Sequence, residues 1–363
     1  MYIHERKEWW RFRYDADKVL SVLASVRAKQ GILMGKLSAL GFDVRNRTML
    51  KSVSLDIIKS SEIEGETLNL EHVRSSLARR LGLEEAGMAE SSRYVDGVVD
   101  MMLDAAQHYD EPLSEERLYG WHSVLFPYGR SGLYRIDVAK YRSGEMQVVS
   151  GPMGKEKVHY KAPAPERVPE EMARLLEWIN AEGNVEPVLK AAIAHLWFVS
   201  IHPFDDGNGR IARAITDMLL AKAENSKQRF YSMSNAVFNH RKAYYDKLED
   251  VQHGDGNITD WLLWFLDRLS EALSGTEATL VSVMRKGRFW EQHEVSDFNP
   301  RQVKILNMLL YGFEGNMTTG RWSRICKCSR ETALKDATNL LNRSILRLGE
   351  GGGRSTTYSL NLD

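Results

Sequence analysis

Cysteine is nearly missing from this chain. Cys326 and Cys328 are the two in 363 residues, too few for a disulfide framework and in keeping with a reducing, cytoplasmic setting. With no second cysteine pair, Cys326-Lys-Cys328 does not complete a zinc site and reads as packing. Long apolar runs are missing too: none approaches the roughly 20 residues of a membrane span. The opening residues, MYIHERKEWWRFRYD, are too charged for a signal peptide. Nor is there an excess of one charge. The 49 Lys and Arg balance 49 Asp and Glu, so the whole molecule is not an obvious polyanion binder. The expectation is a soluble chain long enough for two or three domains.

Against that background one stretch stands out, HPFDDGNGRIAR from His202 to Arg213. It follows an apolar segment, Val188 to Val199, that lacks Gly and Pro and reads as a buried helix. It leads into Ile211, Ile215, Met218 and Leu219 at helical spacing. Such a turn before a helix has a chemical use. Gly207 and Gly209 let the backbone take positive φ and approach a ligand, so several N–H groups and the helix dipole can face one anion. Arg210 and Arg213 add cations suited to phosphate oxygens. Asp206 is a hard oxygen ligand placed where Mg²⁺ bridging two phosphates could take one carboxylate. His202 can accept a proton near neutral pH. Taken singly, each residue has a plainer use as helix cap, turn glycine or interior histidine.

The joint pattern resembles the signature of the Fic family: His, any, Phe, any, acidic, Gly-Asn-Gly-Arg, two of any, Arg. Every fixed position is matched. The resemblance implies a mainly α fold, a Fic-type helical bundle with a β-hairpin flap, and transfer of AMP from ATP to a protein hydroxyl. By it, His202 is the general base and Asp206 holds Mg²⁺. Asn208, Arg210, Arg213 and the backbone at Gly207 and Gly209 serve the phosphates, and Phe204 anchors the loop in the core.

Upstream, residues 49–66 (MLKSVSLDIIKSSEIEGE) read as a helix with Leu55 and Ile58 inward and a stop at Gly65. Ser60 and Glu64 lie four apart and share one face, and an acidic residue at a helix C-terminus is slightly misplaced. Ser60-x-x-x-Glu64-Gly65 resembles the family's inhibitory motif, whose glutamate pairs with the second signature arginine, here Arg213. A carboxylate there would deny the arginine to the γ-phosphate and repel the triphosphate. Autoinhibition is the implied resting state.

The rest divides by texture. Trp9, Trp10, Phe12 and Tyr14 form an aromatic cluster expected to pack on the body, and Asp17 is placed to cap a helix running towards Gly41. This opening segment resembles a small helical domain often found ahead of Fic domains. Helices are expected over 68–83, 90–108 and 118–127. Residues 146–160 read strand, turn, strand, with Gly151, Pro152 and Gly154 at the tip. By the resemblance this hairpin is the flap that grips an extended target by strand pairing. Residues 234–252 read as one helix, where Tyr245, Leu248 and Gln252 resemble the family's nucleoside-bordering positions. Thr259 to Leu273 closes the bundle. The expected domains are 1–108, an N-terminal helical extension; 109–275, catalytic; 276–298, a linker; and 299–363, which resembles a winged helix. This tail carries ten Lys or Arg and five Asp or Glu, which permits DNA binding.

The expected partners are a protein substrate on the flap, with self-modification, a homodimer and DNA contact admitted, and no membrane. Two alternatives stay open: an ATP-sensing, DNA-binding transcriptional regulator with a silent Fic fold, and an enzyme that removes AMP using a water positioned by Glu64.

Overall fold

The computed structural model describes residues 1–83, 90–151, 155, 157–183, 185–310, 315–349 and 356–361. It is mainly helical, as the sequence leads one to expect, with a few short antiparallel strands. The described chain forms two compact units. Residues 1–39 and 49–276 make the first, and residues 40–48 and 277–363 the second.

The first unit is built around two consecutive helices, α7 (Pro187–Ile201) and α8 (Asn208–Glu224). Every α7 residue from Ala191 to Ile201 is buried, so this helix has no polar face and forms the centre of the bundle. Pro187 sits in its first turn and Glu186 caps it, accepting from the N–H groups of Val188 and Leu189. The same unit holds α1 (Ala16–Ser38), α3 (Leu70–Arg80), α4 (Arg93–Gln107), α5 (Glu115–Leu125), α6 (Val168–Asn180), α9 (Met233–Asn239) and α10 (Arg241–Gln252), together with α2 (Phe42–Ile63) from residue 49 on and α11 (Thr259–Gln292) as far as residue 276.

Several boundaries differ from the sequence reading, for local reasons. Asp15, not Asp17, caps α1, accepting from Lys18 N–H, because the cap must precede the first helical residue. Helix α2 begins at Phe42 and ends at Ile63. Its deepest inward residue in this region is Ile57, fully buried beside Ile58, while Leu55 is half-buried. The expected single helix over 234–252 is two, broken at His240. The stretch 276–298, read as a linker, is helical as far as Gln292. Apart from residues 40–48, the segments read as domains 1–108 and 109–275 fall in one compact unit. The opening aromatics pack on the body: Trp9 is buried and donates its indole N–H to Glu171, and Arg174 lies 3.7 Å above the Trp10 ring.

Two hairpins complete this unit. Strands β1 (Arg130–Ser131) and β2 (Tyr134–Arg135) make a small one. Strands β3 (Gln147–Ser150) and β4 (Lys157–Lys161) make the longer one at the expected place; Pro152 and Gly154 of its tip lie outside the described residues. Its base is anchored by Tyr160, fully buried, which donates its hydroxyl to the Ser200 carbonyl at 2.7 Å.

The second unit carries α12 (Pro300–Leu310), β5 (Met317–Thr318), α13 (Thr319–Cys326), α14 (Arg330–Asn342), β6 (Leu346–Leu348) and β7 (Thr357–Leu360), with the strands in the order β5-β7-β6. Helix α13 is too short for periodicity to reveal and escapes a sequence reading. Ile305, Leu306, Trp322, Ala333, Ala337 and Leu340 form its core, and both cysteines pack against it as free thiols. Gly351 to Ser355, part of the glycine turn expected between the last strands, lie outside the described residues.

Candidate functional site

The turn between α7 and α8 positions the signature residues. His202 closes α7 in the left-handed region, φ 53°, with its N–H bonded to the Phe198 carbonyl. A non-glycine residue there is unusual and is held by its surroundings. Arg142 supplies much of that hold. Its guanidinium is buried, and its Nε donates to the His202 carbonyl at 2.8 Å, its Nη1 to Gly144 at 2.8 Å and its Nη2 to Pro163 at 2.6 Å. The Arg142 backbone N–H donates to Pro203. One side chain therefore ties the histidine turn to the segments on both sides of the β3-β4 hairpin. Phe204 is fully buried and stacks on His122, centroids 4.4 Å apart, so it anchors the turn.

His202 Nδ1 lies 3.2 Å from the Val199 carbonyl. A carbonyl can only accept, so Nδ1 carries the proton and the Nε2 lone pair is free. Burial pushes the His202 pKa below its ordinary value, partly opposed by the Val199 hydrogen bond, with Arg142 adding to the depression.

Gly207 starts α8 with φ 81°, a conformation that favours glycine, and a Cβ there would meet the Phe126 ring at 2.9 Å. Asp206 accepts from Gly207 N–H at 2.5 Å and from the Ser131 hydroxyl. Asn208 faces inward. Its Oδ1 accepts from Phe204 N–H at 3.0 Å and its Nδ2 donates to the Phe204 carbonyl at 2.8 Å, so its amide is spent on the turn and does not face a ligand. Arg210 is also engaged: its Nη1 donates to Glu66 at 2.9 Å and to the Tyr94 hydroxyl at 2.7 Å, and Asp206 is 3.6 Å from its Nη2.

Arg213 meets two of the three residues anticipated around the end of α2, Ser60 and Glu64. Its Nε donates to Ser60 Oγ at 2.8 Å, and its Nη2 donates to the Ser60 carbonyl at 2.7 Å and to Glu64 Oε1 at 2.8 Å. Glu64 lies one residue past the end of α2, in the turn that Gly65 completes at φ 84°. Gly209 permits this approach: a Cβ there would sit 2.1 Å from Glu64 Oε1. Arg213 Nη1 is buried with no hydrogen-bond partner, a cationic N–H group with spare capacity.

A cavity of about 510 Å³ opens beside this pair. Glu64, His202 and Gly209 line it, as do Tyr245, Leu248 and Gln252, the three residues singled out from α10. Tyr245 donates its hydroxyl to the Ile63 carbonyl at 3.2 Å, fixing α10 against the end of α2. Val148, Val149, Ser150 and His159 bring the β3-β4 hairpin to the same cavity. A free imidazole nitrogen, a polar hairpin and a half-apolar recess thus share one space, a set that can orient a hydroxyl and take its proton.

Arg142, Glu66, His122, Ser131, His159 and Glu249 escaped the sequence reading. Of these only Glu66 carried a local signal, as an acidic neighbour of Gly65; the others acquire meaning from distant partners.

Comparison with known proteins finds matches over much of the chain. The Fic/DOC family description matches residues 112–220, and a domain of unknown function, DUF4172, matches residues 2–83. The chain is 30% identical over 202 residues to protein adenylyltransferase Fic of Culex quinquefasciatus, and 30% identical over 184 residues to protein adenylyltransferase fic-1 of Caenorhabditis briggsae. These matches cover 55% and 49% of this chain but 37% and 33% of the relatives. A Fic family protein from Desulfovibrio desulfuricans superposes with a TM-score of 0.54 at 21% identity, covering 93% of this chain and 95% of that one. A Fic domain containing signaling protein from Bacteroides thetaiotaomicron gives 0.52 at 23% identity, covering 72% and 96%. At these identities the two structures speak to the fold alone.

Proposed function

We propose that this Fic family protein, which carries its Fic/DOC domain over residues 112–220, is an adenylyltransferase that moves AMP from ATP to a Tyr, Thr or Ser hydroxyl of a protein. The observation that carries the reading is His202, whose Nε2 is left free by the Nδ1 contact to Val199, on the wall of the cavity that Glu64 also lines. In the reaction the target oxygen attacks the α-phosphorus, its proton passes to His202 Nε2, and the bond to the pyrophosphate breaks. The adenosine lies against Tyr245, Leu248 and Gln252. The hairpin holds the target by its backbone edge, which selects an extended segment and not a particular sequence.

The phosphates belong at the start of α8, against the backbone of Gly207 and Gly209 and the dipole of the helix. Arg213 is the side chain with capacity for them, through its unpartnered Nη1 and through Nη2 once Glu64 withdraws. Arg210 joins it when released from Glu66 and Tyr94, whereas Asn208 contributes by shaping the turn. Magnesium fits as an ion brought with the nucleotide: among the described residues no cluster of three His, Cys, Asp or Glu exists to hold it unaided, and Asp206 offers one carboxylate. Such an ion neutralises phosphate charge. Two free thiols support a cytoplasmic setting.

In the resting chain Glu64 holds Arg213 and stands in the cavity, so the protein is autoinhibited. The test uses α-labelled ATP and Mg²⁺ with cell lysate and three proteins. The wild type labels weakly, Glu64→Gly strongly, and Glu64→Gly with His202→Ala not at all. A silent Glu64→Gly protein would sink the reading; loss of AMP from a premodified protein, dependent on Glu64, would instead favour the removal reaction.

One observation favours an added role for the second unit. Helices α13 and α14 are joined by a tight turn at Lys327, φ 50°, and expose Arg324, Lys327, Arg330 and Lys335. With the β5-β7-β6 sheet this supports a winged-helix reading and DNA contact. Footprinting on genomic fragments checks it, and salt-insensitive or absent protection argues for a protein ligand.

A further inference from the structure

Arg213 borders a second group of polar side chains that the proposed transfer does not use. His195 on α7, Thr216 on α8 and Tyr244 on α10 line one small recess with it, and all three are buried. Their hydrogen bonds run in a fixed direction. Thr216 donates its hydroxyl to the Ala212 carbonyl at 2.8 Å, so its oxygen is left to accept from His195 Nδ1, 2.8 Å away. His195 is neutral, because burial, with Arg213 adding to it, takes its pKa down to about 3. A neutral imidazole with its proton on Nδ1 has a lone pair on Nε2. Tyr244 therefore donates its hydroxyl to Nε2 across 2.8 Å. Its phenolic proton is committed there, and the oxygen keeps a lone pair for another neighbour.

Arg213 is that neighbour. Burial raises the Tyr244 pKa and the guanidinium acts against the rise, so the two groups stand within reach of one another's charge. Arg213 Nη1 is buried and has no hydrogen-bond partner among the described residues. Its other edge is fully engaged: Nε and Nη2 make the three bonds to Ser60 and Glu64. A cationic donor with an idle N–H group thus faces an acceptor with an idle lone pair.

From this polarity we propose that Tyr244 is a positioning residue for Arg213, taking an Nη1 hydrogen bond when Glu64 withdraws, while His195 and Thr216 keep the phenolic proton turned away from the arginine. The inference rests on the transfer reading above and adds how Arg213 is held once its resting partners are lost. Those partners all belong to α2 or the turn just after it. Without a replacement, the released side chain regains its rotamer freedom, and ordering it again weakens phosphate binding. Tyr244 lies on α10, outside the inhibitory segment, and stays in place. Anchored through Nη1, Arg213 presents its Nε and Nη2 edge to phosphate oxygens as a fork. Tyr244 also lines the large cavity beside Tyr245 and Leu248. One helix wall then borders the nucleoside and sets the arginine that meets its phosphates.

The experiment titrates full-length Glu64→Gly protein with Mg²⁺–ATP and with adenosine by calorimetry, with and without Tyr244→Phe. The phenyl ring keeps the packing against Trp261 and Trp264 and removes the acceptor alone. ATP is expected to bind about tenfold more weakly, the scale of one hydrogen bond to a charged group, while adenosine affinity holds. With Glu64 present the loss shrinks to under about twofold, because Ser60 and Glu64 then hold the arginine and the two substitutions are coupled. A role in packing alone would weaken both ligands, with or without Glu64. Should Tyr244→Phe fail to fold, His195→Leu takes its place: it frees the phenolic proton to turn towards Arg213 and lowers the ratio of ATP to adenosine affinity in the same direction. A ratio unchanged by these substitutions in Glu64→Gly, or lowered equally when Glu64 is present, overturns the proposal and leaves the transferase reading standing. If Glu64→Gly protein binds no ATP and labels nothing in lysate, it is the transferase reading that has failed.

Discussion

Arg142 bears on His202 more directly than any residue of the signature, through a backbone carbonyl instead of the ring. A buried guanidinium satisfied entirely by carbonyls is expensive to alter, because each abandoned acceptor costs about 1–3 kcal/mol. Arg142→Lys cannot span His202, Gly144 and Pro163 at once. In a Glu64→Gly background it is expected to lower kcat by about a hundredfold, the scale for a catalytic group displaced by an ångström, with the KM for ATP little changed. Steady-state transfer rates at varied ATP check this. On the proposed reading, His202 itself sets the acid limit of the reaction. Its pKa is depressed, first by burial, so the neutral base persists below the ordinary histidine range. The acidic limb of kcat/KM should therefore fall below pH ~6.5. Since Glu64 acts to raise that pKa, the limb should lie lower still in Glu64→Gly; a pH–rate profile with its limb at or above 6.5 would contradict the assignment.

At the scale of elements, the proposed inhibition is a matter of where α2 ends. Its last turn and the residue after it present Ser60 and Glu64, and Arg213 on α8 donates three hydrogen bonds to them. Ser60→Ala removes one of them and leaves the Glu64 pair. A hydrogen bond to a charged group contributes about 1.5–3 kcal/mol, so labelling by Ser60→Ala should lie between that of wild type and Glu64→Gly, roughly tenfold above wild type. The same autoradiographic assay measures it. The β3-β4 hairpin is likewise fixed by elements far away in sequence: β4 reaches Ser200 at the end of α7 through Tyr160 and Glu249 on α10 through His159.

For the whole molecule, buried neutral histidines link stability to pH. Burial lowers the pKa of His4 to about 4 and of His195 to about 3, with Arg167 and Arg213 respectively adding to the effect. His195 bridges Thr216 and Tyr244 inside the bundle, and His4 contacts Tyr160. The folded state resists protonation that the unfolded chain accepts below pH ~6.5. The unfolded state thus binds more protons between about 6.5 and the folded pKa, and stability rises with pH across that window. Each histidine should therefore contribute roughly 2 kcal/mol less at pH 5 than at pH 7. Urea unfolding of wild type against His195→Gln at the two pH values checks it: the substitution should shrink the difference.

The sequence by itself determined whatever depends on neighbours along the chain. The apolar helix before the signature, the glycine turn at Gly207, the Ser60 to Glu64 spacing and the hairpin strands are all set by local periodicity and backbone freedom, and all are legible without coordinates. Tertiary structure decided what depends on partners many positions away. It turned Asn208 inward onto Phe204, tied Arg210 to Glu66 and Tyr94, and placed Arg142 under His202. It also set Tyr244 beside both His195 and Arg213. A guanidinium or imidazole has no periodic signature, and its role is fixed by which acceptors the fold brings within 3 Å or so of it.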